Sequence, residues 1–171
     1  MKDEATLVLI KPDAIVRGLT GAVVSRLAEA KLTLAGAKAA RVSHELAEEH
    51  YKPLKGKPFY DELIRYICGE LHGVTHVLAL AYVGPGVGGR VRQLAGATNP
   101  EHADPTTIRG ALGRVTTKGV IENVLHASSD PQEAEREIKL WFRPEELLVQ
   151  LYPMTEATSV THKTAVWAQP S

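Results

Sequence analysis

The order of predicted strands and helices indicates an α+β sandwich of the ferredoxin-like type. Apolar periodicity and turn residues predict strands near residues 6–10, 32–42, 75–83 and 120–127, with helices between and after them. That order contains two split βαβ units, which together form a four-stranded antiparallel sheet with helices on its faces. The 171 residues suffice for one such domain and a tail.

The first half of the chain supplies two strands and three helices. Thr6–Ile10 is a β-prone run that ends at Lys11-Pro12, because proline cannot donate to a strand ladder. Apolar residues then recur at helical spacing over 20–31, and a strand with a bulge at Gly36 follows. Ser43 can cap the next helix. Pro58 opens a further helix, closed by Gly69, whose predicted buried face consists of Phe59, Leu63, Tyr66 and Ile67.

The second half contains the most apolar strand, a long loop and a capped helix. The 75–83 strand leads through glycines into a short helix that ends at Leu94. Residues 96–107 lack periodicity, and ordered loops of this length are usually functional. Asp130-Pro131-Gln132-Glu133 predicts a capping box that opens the last helix. The predicted core face of that helix is Ala134, Ile138, Trp141 and Phe142.

The run Gly84–Gly89 matches the pattern G-x-G-x-x-G and leaves a dinucleotide site as an alternative. A Rossmann unit needs a second parallel strand after the helix, and here the helix runs into the 96–107 loop. A Walker A loop fails as well, because Arg90-Val91 stands where Lys and Ser or Thr are required. Turn chemistry is the better interpretation.

Composition narrows the function classes. Twenty basic and twenty acidic residues give a formal net charge of zero, so no overall positive field favours nucleic acid as a specific ligand. The longest apolar run, 77–83, is much shorter than the ~18–20 residues that cross a bilayer. Cys68 is the single cysteine, so we expect a reducing cytoplasm and no membrane association.

One of the seven histidines stands at a position that suits catalysis. His126 follows the apolar strand and precedes the capped helix, and strand ends present side chains to clefts. A structural or solvated histidine is the ordinary alternative. The other six, His50 and His72 among them, show no pattern that demands chemistry, and no metal-binding His or Cys spacing appears.

Several motifs together resemble the nucleoside diphosphate kinase family. They are Lys11-Pro12-Asp13, Arg92 with Gly96–Pro100, Thr107–Gly110, and Asn123-x-x-His126-x-Ser128. The resemblance covers about residues 4 to 142 in the family's order. We therefore place a kinase-like domain at 1–142 and a C-terminal extension at 143–171, packed on the domain or on a neighbouring subunit.

The resemblance implies an enzyme that moves the γ-phosphate of a nucleoside triphosphate to a nucleoside diphosphate by a ping-pong mechanism. His126 matches the histidine that the family phosphorylates. Glu137 matches the glutamate that orients it, and Ser128 matches the serine that bonds to this glutamate. Tyr51 would lie beside the histidine.

The resemblance also implies a nucleotide site. Lys11, Arg92 and Arg109 match phosphate-facing cations, and Thr98 would donate to the β-phosphate. Phe59 matches the ring on which the base stacks, while Lys11 and Asn123 match contacts to the ribose hydroxyls. Mg²⁺ would be held mainly by the substrate phosphates, since the sequence shows no acidic cage for it.

Some residues depart from the family pattern. Ala127 replaces the usual Gly, Glu122 replaces an Arg, and extra residues occur near 69–74 and 114–120. A catalytically silent nucleotide-binding scaffold is the alternative function, but the complete set of matched residues favours the enzyme. The family's tetramers and hexamers predict a homo-oligomer. The apolar residues Leu147, Leu148, Leu151 and Tyr152 favour a hexamer in which the extension contacts a neighbour, with a tetramer as the alternative.

Overall fold

The computed structural model describes residues 4–155. The elements are, in chain order, β1 (Glu4–Ile10), α1 (Pro12–Val16), α2 (Thr20–Glu29), β2 (Thr33–Arg41), α3 (His44–His50), α4 (Tyr60–Ile67), β3 (His76–Gly84), α5 (Val87–Ala95), α6 (Ile108–Leu112), β4 (Arg114–Val115), β5 (Ile121–Glu122), β6 (Leu125–Ala127) and α7 (Pro131–Trp141). Short 3-10 turns lie at Lys52–Leu54, Pro100–His102 and Pro144–Glu146.

The main sheet has the strand order β2-β3-β1-β6, and every neighbouring pair is antiparallel. This arrangement confirms the predicted α+β fold with a four-stranded antiparallel sheet. Leu9 lies opposite His126, so the central strand β1 fixes the height of the histidine along the sheet. The turn interpretation of Gly84–Gly89 agrees with this topology, because β3 passes through a left-handed Gly86 into α5.

Hydrophobic cores form on both faces of the sheet. Leu7 and Leu9 pack into the core beneath α3, α4 and α7, and Val8 and Ile10 pack into the core beneath α2, α5 and α6. All four side chains are fully buried, which is worth roughly 1.5–3 kcal/mol each. With both faces covered, the functional side chains emerge where β1 and β6 end.

The predicted single strand over 120–127 is wrong. Residues 121–122 pair with β4 in a separate two-stranded hairpin, and only 125–127 join the main sheet. The break occurs at Val124, whose φ of 59° is unusual for a β-branched residue. Asp13 Oδ2 accepts from Val124 N at 3.1 Å, and Lys11 N donates to Val124 O at 2.9 Å. Apolar periodicity gives no signal for these hydrogen bonds between residues that are remote in sequence.

Two other features of the fold differ from the prediction. The helix α1 was not expected, because five residues are too few to show helical periodicity. Phe59 was placed on a buried helix face, but it precedes α4 and is 53% exposed. The Gly36 bulge is confirmed by a register shift between Leu34 and Gly36.

The helix caps follow the sequence signals closely. Ser43 Oγ accepts from Leu46 N at 3.2 Å, as predicted. Asp130 Oδ1 accepts from Gln132 N and Glu133 N at 3.0 and 2.9 Å, and the predicted core face of α7 is buried. The Glu133 carboxylate binds Arg136 instead of the Asp130 backbone N–H, so the predicted capping box is only half formed.

The first part of the C-terminal extension lies on the domain itself. Leu147, Leu151 and Tyr152 pack against the core beneath α7, and Leu148 N donates to Ala35 O at 2.7 Å. The side chain of Leu148 is the exception, with 83% exposure. Much of the predicted apolar cluster is therefore covered within the chain. Residues 156–171 of the predicted extension lie outside the described residues.

Candidate active site

An open cleft of about 1110 Å³ lies beside the ends of β1 and β6. Nine of the ten predicted site residues line it, namely Lys11, Tyr51, Phe59, Arg92, Thr98, Arg109, Asn123, His126 and Glu137. Ser128 lies below the cleft wall, buried against β1, where its Oγ accepts from Leu7 N at 3.0 Å. The fold thus gathers residues that are spread over more than 120 positions.

His126 and Glu137 form the centre of the cleft. His126 Nε2 lies 3.0 Å from both Glu137 carboxylate oxygens, and Ser128 Oγ donates to Glu137 Oε2 at 2.6 Å. The His126 side chain is 18% exposed and that of Glu137 is 5% exposed. A carboxylate that accepts from Nε2–H fixes the tautomer of the imidazole and leaves the Nδ1 lone pair available.

The electrostatics keep His126 neutral. Burial, together with the positive charges of Lys11 and Arg109, lowers the pKa of His126 to about 3. Burial raises the pKa of Glu137, while His50 and the Ser128 hydrogen bond oppose that rise. Near neutral pH the imidazole is therefore uncharged, which is the form that acts as a nucleophile.

Lys11 and Asn123 are joined on one wall of the cleft. Lys11 Nζ donates to Asn123 Oδ1 at 2.8 Å, and Asn123 Nδ2 donates to Thr98 O at 2.9 Å. Burial and the nearby Arg109 lower the pKa of Lys11 to about 8, so its charge is only just retained near neutral pH. This chain of bonds connects β1, the break before β6 and the 96–107 loop.

Two arginines bring further positive charge to the cleft. Arg109 donates to Gly96 O at 2.9 Å and to Leu125 O at 3.0 Å, which holds its guanidinium beside the histidine strand. Arg92, on α5, donates to Ser129 O. Lys11, Arg92 and Arg109 therefore line the same cleft as His126, an arrangement suited to a phosphorylated ligand.

The remaining predicted residues occupy the cleft rim and floor. The Tyr51 hydroxyl is buried, and the ring centroids of Tyr51 and His126 are 6.1 Å apart. Burial and the Glu137 carboxylate raise the pKa of Tyr51, so its hydroxyl stays protonated. Thr98 is exposed, and so is the Phe59 ring at the mouth.

Comparison with known proteins identifies the family of this chain. The family model described as nucleoside diphosphate kinase matches residues 4–147. The chain belongs to the nucleoside diphosphate kinase family. It is 46% identical to the nucleoside diphosphate kinase of Pyrococcus furiosus over 144 residues, which cover 84% of this chain and 86% of the relative. It is 45% identical to that of Thermus thermophilus over 145 residues, covering 85% and 99%.

Solved structures of the family share the fold. The nucleoside diphosphate kinase of Halobacterium salinarum, in complex with CDP, is 40% identical with a TM-score of 0.76, and the match covers 85% of this chain and 91% of that one. A transition state mimic of the Borrelia burgdorferi enzyme, with bound vanadate and ADP, is 34% identical with a TM-score of 0.77, covering 89% and 93%.

Sequence reasoning missed His50. It is buried at the end of α3, lines the cleft, and lies edge-to-face with His126 at a centroid distance of 4.5 Å. Trp141 Nε1 donates to His50 Nδ1 at 3.2 Å. Helical spacing did place Trp141 on a core face, but it could not show that this face meets the end of α3.

His72 and Glu122 were also missed as a pair. His72 Nε2 lies 3.1 Å from Glu122 Oε1, and Arg114 Nε donates to Glu122 Oε2 at 2.6 Å. Two segments that depart from the family pattern are thus joined through a buried carboxylate. Gly119, Val120 and Ile121 of the same hairpin line the cleft.

The residues of the cleft suit a cation that arrives with the ligand. Enzymes of this family need a divalent metal. Among the described residues the acidic side chains that line the cleft are Glu62, Glu133 and Glu137, and Glu137 is already bonded to His126 and Ser128. Of residues 4–155, no helix is long and apolar enough to cross a membrane.

Proposed function

We propose that this nucleoside diphosphate kinase carries the phosphoryl group on Nδ1 of His126. The Nδ1 lone pair attacks the γ-phosphorus of a nucleoside triphosphate, the P–N bond forms, and the bond from phosphorus to the β–γ bridging oxygen breaks. The nucleoside diphosphate leaves with that electron pair. A second diphosphate then takes the phosphoryl group by the reverse step, which makes the reaction ping-pong.

The contact of His126 Nε2 with both Glu137 oxygens is the observation that carries this proposal. It assigns the proton to Nε2 and the nucleophilic lone pair to Nδ1. Positive charge that develops on the ring during attack is stabilised by the carboxylate, and Ser128 fixes the carboxylate in turn.

The cations account for the phosphate chemistry. Lys11, Arg92 and Arg109 neutralise charge on the transferring group, whose transition state spreads negative charge over three oxygens. Thr98 donates its hydroxyl to the β-phosphate. Tyr51 donates its hydroxyl beside the histidine, and that hydroxyl has no hydrogen-bond partner among the described residues.

The exposed Phe59 ring supports base stacking at the cleft mouth. A ring accepts any base on its face and reads no base edge, so we expect broad nucleotide use, with ATP among the donors. Lys11 and Asn123, already hydrogen bonded to each other, bind the ribose hydroxyls.

Mg²⁺ is the metal we assign to the reaction. It is bound in proteins by few carboxylates together with substrate phosphates, which suits a cleft with little free acidic surface. When bound it neutralises phosphate charge. The chain's own cations orient the same phosphates.

A homohexamer is our proposal for the assembly, with a tetramer as the alternative. The exposed Leu148 and Val149 beside the packed part of the extension support a contact with a neighbouring subunit. Light scattering at micromolar concentration should give six times the chain mass, and a monomer would contradict the proposal.

The single cysteine, Cys68, favours the reducing cytoplasm as the location of the protein.

Replacement of the proposed nucleophile tests the function. His126→Ala should abolish phosphoryl transfer and leave ADP binding by calorimetry within about threefold, because binding rests on Phe59 and the cations. His102→Ala, at an exposed histidine, serves as the matched control. Transfer that persists in His126→Ala would favour another nucleophile. An inactive wild-type chain that still binds nucleotide would favour the scaffold alternative.

A further inference from the structure

The Glu137 carboxylate has a third neighbour besides His126 and Ser128. His50 Nδ1 lies 3.8 Å from Glu137 Oε1, and both side chains are buried. A protonated His50 Nδ1 would be a charged donor at this distance and would compete with His126 for the carboxylate. Catalysis through His126 therefore requires that His50 not donate here.

Trp141 provides that condition. Its indole N–H can only donate, and it donates to His50 Nδ1 at 3.2 Å from within the core. The Nδ1 atom must then act as an acceptor, which places the proton on Nε2. His50 Nε2 has no hydrogen-bond partner among residues 4–155, so within this part of the chain Trp141 alone fixes the tautomer.

We propose that Trp141 is a positioning residue that holds His50 as a neutral acceptor and so reserves the Glu137 carboxylate for His126. The inference rests on the proposed phosphoryl transfer through His126. Neither His50 nor Trp141 need touch the substrate, because both act through the carboxylate.

The surroundings of His50 favour the same state. Burial and the neighbouring His126 lower the pKa of His50 well below its usual range, although Glu137 opposes the shift. The titratable and charged groups around it are His126 from β6, Glu137 and Arg136 from α7, Lys11 from before α1, and the adjoining Tyr51. Only Glu137 favours the protonated ring. The hydrogen bond from Trp141 therefore has to oppose only the attraction between Glu137 and a protonated His50.

Trp141→Phe removes the N–H and retains an aromatic ring. His50 Nδ1 then loses its donor, so the ring proton can move from Nε2 to Nδ1. The resulting Nδ1–H can donate to Glu137. We expect kcat to fall about 3- to 10-fold, the range set by one hydrogen bond, with KM for ATP and GDP changed less than twofold. Ile138→Val, a buried change on the same helix, is the control for packing alone.

The pH profile and a double variant separate positioning from packing. The fall in Trp141→Phe should grow as the pH is lowered, because protonation of His50 adds an N–H at Nδ1 that Glu137 attracts, and it should be smaller at pH 9. Trp141→Phe/His50→Phe removes the competing nitrogen and should recover at least half of the lost kcat. A loss equal to that of Ile138→Val, or a loss independent of pH that the double variant fails to recover, would overturn the inference.

Phosphohistidine formation on the wild-type chain distinguishes the two proposals. Wild-type protein incubated with Mg²⁺ and γ-labelled ATP should carry label on His126 at each pH used for the kinetic comparison. If the wild type is unlabelled, the proposed function fails. If it is labelled and Trp141→Phe labels at the same rate at every pH, the positioning role alone fails.

Discussion

At the scale of single residues, the site depends on one carboxylate with two assigned partners. Glu137 accepts from His126 Nε2 and from Ser128 Oγ while almost fully buried. A buried carboxylate that loses its charge can no longer stabilise the imidazolium character that develops during attack. The charge of Glu137, more than its shape, should therefore set the rate of phosphorylation.

Glu137→Gln tests this charge. We expect kcat to fall about 10- to 100-fold, as for other orienting groups, with nucleotide binding little changed. Stopped-flow single turnover with ATP measures the step directly. Glu135→Gln, at a half-exposed glutamate of the same helix, is the control and should retain the wild-type rate. Equal rates for Glu137→Gln and wild type would remove the carboxylate from the mechanism.

Lys11 should give the reaction an alkaline limit. Because the pKa of Lys11 is lowered to about 8, its charge is present below that pH and is lost as the pH rises through it. We expect kcat/KM for ATP to fall above about pH 8, since that parameter reports the free enzyme. Lys11→Arg stays charged and should move this limb to higher pH even if its rate is lower. A profile unchanged by that substitution would assign the limb to another group.

At the scale of elements, the cleft is assembled by contacts between segments that are remote in sequence. Arg136 on α7 donates to Glu49 O and His50 O at 2.8 Å each, which satisfies the last carbonyls of α3 and sets the position of Tyr51. Asp13 similarly holds the break between β5 and β6. These links orient the loops that carry the chemistry.

Arg136→Ala should destabilise the fold. Two charged hydrogen bonds to backbone are lost, and with partial exposure we expect a decrease of about 1.5–3 kcal/mol in the free energy of unfolding. Urea denaturation measures it. Lys139→Ala removes an exposed ion pair on the same helix and should cost less than about 0.5 kcal/mol. Similar losses in the two variants would mean that Arg136 is a surface charge only.

The same contacts explain which elements the sequence could predict. Strands β1 and β3 and the caps at Ser43 and Asp130 follow from local signals, and so do their approximate bounds. The division of 120–127 into two strands depends on Asp13, over 100 residues away, and has no local signal. The strand-end position made His126 a candidate, and the family resemblance predicted its catalytic role. His50 was missed because its significance depends on the meeting of α3 with α7.

At the scale of the whole molecule, folding buries two neutral histidines together. His126 and His50 both have a lowered pKa in the folded chain, whereas their unfolded values lie near 6.5. The unfolded state therefore binds more protons as the pH falls below about 6.5, and the native state loses stability there, for His126 down to about pH 3. Stability from these groups is fully present above pH 6.5.

Removal of one histidine should weaken this pH dependence. Between pH 7.5 and 4.5 the free energy of unfolding should decrease less in His126→Gln than in wild type. The difference corresponds to the one proton that His126 takes up on unfolding. Urea titrations at fixed protein concentration measure the difference, because assembly also affects apparent stability. His102→Gln should retain the wild-type slope. An unchanged slope in His126→Gln would show that His126 is not buried in its neutral form.

The phosphorylated intermediate is the central claim, and mass spectrometry tests it most directly. Purified protein is mixed with Mg²⁺ and γ-labelled ATP, quenched in alkali and mapped, before and after a chase with excess GDP. We predict one phosphoryl group on His126 that GDP removes as labelled GTP. Transfer to GDP without label on His126, or label that GDP does not remove, would contradict transfer through this histidine.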